Sequence, residues 1–131
     1  DILGFSNRWY EKGIATAVTH PLTPELDIKL LTPALFVATK LEAYRGRGGD
    51  DPLMSHDLED ILIVVDGREE LLAEVRAADD DIRDFIAEQL RDLQENHDFD
   101  SFIEGNIRGP EGRVDIVRDR LSALAASDRE A

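Results

Sequence analysis

One lysine and two aspartates have the residue types and spacing in this sequence that most suggest chemistry. Lys40 is one of only three lysines in 131 residues. Phe36, Lys40 and Tyr44 recur at i, i+4 and i+8, which places the lysine within the apolar stripe of a predicted helix. Asp57 and Asp60 fall on the apolar face and edge of the next predicted helix. Because an ammonium group is rarely buried without an anion, both helices are predicted to direct charge toward their shared side.

Two interpretations of these charges are open. In the functional one, Lys40 meets an anionic ligand in a cleft, and the aspartates orient the lysine or bind a metal-held phosphate. Arg45 and Arg47 on the following glycine-rich loop add positive charge, and His56 adjoins the cleft as a further ligand contact. In the structural one, Lys40 extends past its aromatic neighbours to solvent, Asp57 caps a helix, and the arginines pair with acidic residues of their own loop.

Start and stop signals define the two helices that carry these residues. Thr32 followed by Pro33 predicts a helix that runs to about Arg45, where the run "RGRGGDDP" ends it. Ser55 is a predicted cap for the second helix, and Gly67 a predicted end. The run "ILIVV" inside it is also compatible with a buried strand, but the cap and the terminal glycine favour a helix.

The remaining patterns predict a single, predominantly helical α+β domain over residues 1–131. Residues 25–31 alternate apolar and polar side chains as a strand does, and residues 13–19 suggest a weaker strand or short helix. Strands and loops are thus expected in 1–31 and helices in 32–126. The further helical segments are predicted at 68–77, 79–94 and 114–126, with a short helix or ordered loop at 98–107.

The chain is strongly acidic, with 29 acidic and 15 basic residues and a net charge of −14. Such a surface repels phosphate backbones and anionic membranes, so nucleic acid and membrane are not predicted partners for its bulk. Twelve arginines against three lysines, and 17 aspartates against 12 glutamates, suit a protein that stays soluble in a salty cytoplasm. A GC-rich genome that favours arginine explains the same bias.

Several function classes are excluded by missing motifs. The sequence has no cysteine, no G-x-S-x-G and no P-loop, which argues against disulfides, zinc–thiolate sites, serine hydrolases and P-loop NTPases. His20, His56 and His97 are too scattered to predict a metal site. Without a long apolar run or a signal-like leader, a cytoplasmic protein is expected.

Three runs resemble the C-terminal part of a nucleotidyltransferase-like family related to the AbiEii toxins of bacterial type IV toxin–antitoxin and phage-defence systems. They are "GFSNRWY" (4–10), "LLTPALFVATKLEAYRGRGGDD" (30–51) and "SHDLEDILIVVDGREEL" (55–71). The distinctive element is a lysine on a helix, an arginine at the helix end and an aspartate pair after a short loop. Lys40, Arg45, Asp57 and Asp60 match it.

The resemblance implies a polymerase-β-type fold, a small mixed sheet flanked by helices, that transfers a nucleotide from a triphosphate with Mg²⁺. Lys40 would contact the triphosphate, Arg45 would assist, and Asp57 and Asp60 would orient the lysine or complete the site. Chemistry of this kind depends mainly on positioning and charge neutralisation. The acceptor is unknown, with RNA one possibility, and an antitoxin or other protein is a possible partner.

One departure from the family pattern limits these expectations. The family's Gly-Ser or Gly-Gly turn and its metal-holding Asp-x-Asp strand should lie upstream, and residues 1–28 contain neither. Asp27 is predicted to face away from the apolar side of its strand. The sequence also opens without methionine, so an incomplete domain that is inactive alone is expected. The alternative is a non-catalytic, acidic, helical protein-interaction module in which Lys40 and Asp57 form a structural ion pair.

Overall fold

The computed structural model describes residues 32–46 and 51–128, and its regular structure over these residues is helical. A short 3-10 turn, Pro52–Met54, precedes the second of the helices. The helices are α1 (Pro33–Gly46), α2 (His56–Gly67), α3 (Leu71–Ala77), α4 (Asp80–Gln94), α5 (Phe99–Asn106) and α6 (Arg113–Ala125). The predominantly helical class is confirmed for this part of the chain. The predicted strands at 13–19 and 25–31 lie outside it, as does the polymerase-β-type sheet that they were expected to join.

The two helices of the predicted site begin and end where their sequence signals placed them. The Leu35 amide donates to Thr32 Oγ1 at 3.2 Å at the start of α1. The Leu58 amide donates to Ser55 Oγ at 3.1 Å at the start of α2. These bonds satisfy amides that have no partner within the helix. The strand alternative for "ILIVV" is therefore wrong.

The later helices follow the predictions closely except at the start of α3. A helix was predicted from residue 68, but Arg68 is extended, with φ −128° and ψ 96°, and its amide closes the end of α2 on the Val64 carbonyl. Residues 69 and 70 then form a turn, and α3 begins at Leu71. The other three helices lie within one residue of their predicted bounds.

One hydrophobic core joins all six helices. Helix α1 packs against α2, α3 and α4, and α6 packs against α2, α3 and α4. Apolar residues three or four apart supply the contacts, as Val37, Ala38 and Leu41 do on α1, each at most 1% exposed. The packing places α1 and α2 side by side. No helix in residues 32–46 and 51–128 has the length and apolar character needed to cross a bilayer.

Arginines of α6 hold the ends of two other helices. Arg120 donates to the Val65 and Asp66 carbonyls at 3.0 and 2.9 Å, and Arg113 also donates to the Asp66 carbonyl, at the end of α2. Arg118 binds the Asp100 carboxylate of α5 through Nε at 2.7 Å and Nη2 at 2.9 Å. These bonds fix α2 and α5 against α6.

Candidate functional site

The structure brings Lys40 together with both aspartates at the interface of α1 and α2. Lys40 Nζ lies 2.8 Å from Asp60 Oδ2 and 4.0 Å from Asp57 Oδ1. The first is a close ion pair, and the second is an ion pair beyond hydrogen-bond distance. The helical spacing that predicted a shared charged side for these helices is therefore confirmed. We call these three residues the lysine cluster.

The lysine is held at the surface of the interface. Its side chain is 27% exposed, and its Nζ lies 5.5 Å from the centroid of the Phe36 ring, one turn earlier on α1. A cation at that distance from an aromatic face is attracted to it. Lys40 is thus bounded by a ring and two carboxylates, and its side chain remains partly exposed. Tyr44, one turn later, is buried in the core at 7% exposure.

The two carboxylates occupy different environments. The Asp57 side chain is 9% exposed, whereas the Asp60 side chain is 41% exposed. Asp57 lies in the first turn of α2, where the positive end of the helix dipole favours a carboxylate. Asp57 is therefore fixed by the helix and the lysine together, and Asp60 is a surface carboxylate that reaches to the lysine.

Neither Arg45 nor His56, which were also predicted to bind the ligand, forms a hydrogen bond or ion pair with the lysine cluster. Arg45 follows Lys40 by five residues, which is a rotation of about 140° around an α-helix. It lines a different pocket, against α4. The His56 side chain is 91% exposed, and its Nδ1 lies 3.2 Å from Glu59 Oε1. Arg47 lies outside the described residues.

The lysine cluster does not fit a magnesium ion. The residues that the structure describes contain no group of three histidine, aspartate or glutamate side chains that could hold a metal. Asp57 and Asp60 instead face an ammonium group, and the three side chains carry one positive and two negative formal charges. A hard divalent cation takes several oxygen ligands without a competing cation beside them. The chemistry that these residues can perform is to bind and orient an anionic group through Lys40.

A pocket between α1 and α4 was missed by the sequence prediction. It has a volume of about 300 Å³ and is lined by Arg45 on α1 and by Gln89 and Asp92 on α4, among others. A signal for it exists in the sequence, because Gln89 falls three residues after Ile86 and four before Leu93, inside the apolar stripe of α4. Like Lys40 on α1, Gln89 is a polar residue within an apolar stripe and is therefore a candidate for contact with a ligand.

Comparisons with family models, with curated proteins and with solved structures give no match for this chain. The resemblance to the AbiEii-related nucleotidyltransferases therefore depends on the quoted residues alone. Of that pattern, the described residues contain the lysine helix, its terminal arginine and the aspartate pair.

Proposed function

We propose that this chain is part of a Mg²⁺-dependent nucleotidyltransferase that transfers a nucleotide from a nucleoside triphosphate to an acceptor, as a toxin of a toxin–antitoxin system. The observation that supports this proposal is the position of Lys40. Its ammonium group lies 2.8 Å from Asp60 Oδ2, and its side chain is 27% exposed, so the lysine is both oriented and partly accessible. A triphosphate needs such a cation, fixed before the ligand arrives.

The donors of the lysine support the same role. A lysine ammonium carries three N–H donors and no acceptor. Asp60 Oδ2 takes one of them, while Asp57 Oδ1 at 4.0 Å is beyond hydrogen-bond distance. Donors therefore remain for phosphate oxygens. In this proposal Lys40 binds the triphosphate, and Asp60 and Asp57 set the direction of its ammonium group.

In this proposal the metal ligands lie elsewhere in the protein, and Arg45 does not bind the triphosphate. Mg²⁺ would neutralise charge on the phosphates when bound, but its ligands must come from outside residues 32–46 and 51–128. Arg45 is not placed on the triphosphate, because it lines the pocket on the α4 side of α1. His56 precedes Asp57 and is exposed, so it remains a candidate contact for the ligand.

A second candidate function is a non-catalytic module that binds a protein partner. The burial of Asp57 favours it. A carboxylate that is 9% exposed and 4.0 Å from a lysine on the neighbouring helix is the geometry of an ion pair that joins two helices. The excess negative charge of the lysine cluster also opposes a metal-free triphosphate. In this function Lys40 stabilises the fold, and the acidic surface contacts the partner.

Nucleotide binding by the full-length protein tests the proposal. ATP, GTP, CTP and UTP would be titrated one at a time with Mg²⁺ in a calorimeter, at low and high KCl. We expect one or more to bind, and Lys40→Met, which keeps the aliphatic stem, to weaken that binding by at least about tenfold. The matched control is Arg76→Met, because Arg76 is an exposed cation of α3 without an ion pair among the described residues. The control should bind as the parent does.

The folding of the variants separates the two candidates. Circular dichroism of Lys40→Met should match that of the parent if the lysine serves the ligand. If the parent binds none of the four nucleotides, the transferase proposal is wrong. If in addition Lys40→Met unfolds and Lys40→Arg does not, the ion-pair role and the interaction module are supported instead.

A further inference from the structure

The pocket between α1 and α4 has the size and lining of a small-molecule site. We call it the α1–α4 pocket. Its volume of about 300 Å³ lies at the lower end of the range for ligand-binding pockets. Its lining residues are Leu41, Tyr44, Arg45, Gln89, Asp92, Leu93 and Asn96.

Gln89 is the feature that points to a ligand. The residue is only 8% exposed, and its side-chain amide takes part in none of the hydrogen bonds among residues 32–46 and 51–128. Its neighbours Ile86 and Leu90 are at most 1% exposed, so the amide lies at the edge of the core and lines the pocket. A glutamine amide carries two N–H donors and a carbonyl acceptor, and those of Gln89 are available to a group in the pocket. A polar group bound in the pocket would form hydrogen bonds with Gln89.

Two opposite charges line the same pocket without pairing. Arg45 is exposed at the end of α1, and Asp92 is exposed on α4. Neither forms an ion pair within the part of the chain that the structure describes, so they do not neutralise each other. An arginine guanidinium matches a carboxylate with two parallel hydrogen bonds, and an aspartate accepts from an ammonium group. The pocket therefore contains one side chain that can bind an anionic group and one that can bind a cationic group.

We infer that the α1–α4 pocket binds a small zwitterion of amino-acid size. Its carboxylate binds Arg45, its ammonium group binds Asp92, and Gln89 hydrogen-bonds to its polar atoms. Leu41 and Leu93 contact its carbon atoms. A plain anion would be repelled by a chain with a net charge of −14, and a plain cation would meet Arg45. A zwitterion avoids both costs. This inference does not depend on the proposed transferase function, since Lys40 does not line the pocket.

The test uses the ¹⁵N-labelled full-length protein and the twenty free L-amino acids, added one at a time at millimolar concentration. The Gln89 side-chain NH₂ signals are assigned by their loss in Gln89→Met. We expect at least one amino acid to shift them. Arg45→Gln should weaken that binding by at least about tenfold, while Arg76→Gln, which removes an exposed cation from α3, should not change it. Arg45 is exposed, so its loss should not prevent folding.

Two derivatives of the bound amino acid test the zwitterion itself. The N-acetyl form lacks the ammonium group, and the carboxamide form lacks the carboxylate, so both should bind at least about tenfold more weakly. The inference is overturned if none of the twenty amino acids shifts the Gln89 signals. It is also overturned if Arg45→Gln binds as tightly as the parent. Equal binding of the N-acetyl form would show a simple carboxylate site and reject the zwitterion.

Discussion

Asp57 Oδ1 lies 4.0 Å from Lys40 Nζ, and the Asp57 side chain is only 9% exposed. Asp60 is closer to the same ammonium group, at 2.8 Å, but its side chain is 41% exposed. The closer carboxylate is therefore the better solvated one. Distance and burial predict opposite orders for the contributions of the two aspartates to stability, and burial should dominate because water screens exposed pairs.

We therefore expect Asp57→Ala to lower the free energy of unfolding by about 1–3 kcal/mol. Asp60→Ala should lower it by less than about 1 kcal/mol, as for other exposed ion pairs. Urea unfolding followed by circular dichroism measures both. Equal losses for the two variants would mean that the burial of Asp57 has no energetic consequence.

The ion pair between Arg68 and Glu74 predicts a dependence of stability on pH. Arg68 donates to both carboxylate oxygens of Glu74 at 2.6 Å, and these hydrogen bonds lower the pKa of Glu74 from its ordinary value of 4.5. Because the pKa is lower in the folded chain, the pair stabilises the fold above the unfolded pKa. That stabilisation is lost as the pH falls through the lowered, folded value.

Glu74→Gln should therefore be less stable than the parent near neutral pH, and the difference should vanish in acid. Thermal unfolding of both proteins across this pH range measures it. The control is Glu69→Gln, which removes an exposed carboxylate without an ion pair among the described residues. A difference in melting temperature between Glu74→Gln and the parent that stays constant with pH would contradict the lowered pKa of Glu74.

Substitution of glycine by alanine should have opposite effects on stability at Gly112 and Gly105. Gly112 precedes α6 with φ +93°, a backbone conformation that side chains disfavour. Gly112→Ala should destabilise the chain by about 1 kcal/mol. Gly105 lies within α5, and a Cβ there would meet nothing within 4 Å. Gly105→Ala should stabilise by about 0.5–1 kcal/mol. Denaturant midpoints give both values, and two shifts of the same sign would contradict the backbone assignment of Gly112.

The net charge of −14 predicts that salt stabilises the chain. Raising KCl from about 0.1 to 1 M shortens the Debye length from about 10 to 3 Å and weakens the repulsion among carboxylates. The melting temperature should rise over this range at neutral pH. The rise should shrink near pH 4.4, the isoelectric point, where the net charge disappears. A melting temperature that falls with KCl would mean that the surface arginine pairs outweigh the repulsion.

Helix bounds and the lysine cluster followed from local sequence signals. Thr32 and Ser55 cap their helices, as hydroxyl side chains before helical runs do, and helical spacing alone placed Lys40 and Asp57 on facing sides. Local signals failed at Arg68, whose extended backbone separates α2 from α3. No propensity of the residue itself indicates that corner.

The placement of Arg45 could not follow from its nearness to Lys40 in sequence. Five residues along a helix lead to a different face, and only the packing of α1 against α4 decides what that face meets. The same packing determines that Gln89 lines a pocket. Its position in an apolar stripe was visible in the sequence, but its partner helix was not.

The last turn of α2 receives bonds from Arg113 and Arg120, about fifty residues further along the chain. Carbonyl groups at a helix end have no partner within their own helix, so this turn lacks these bonds until α6 is in place. During synthesis, α6 leaves the ribosome after every other helix of the described chain. The last turn of α2 is therefore completed late, only after α6 has been synthesised and has packed against it.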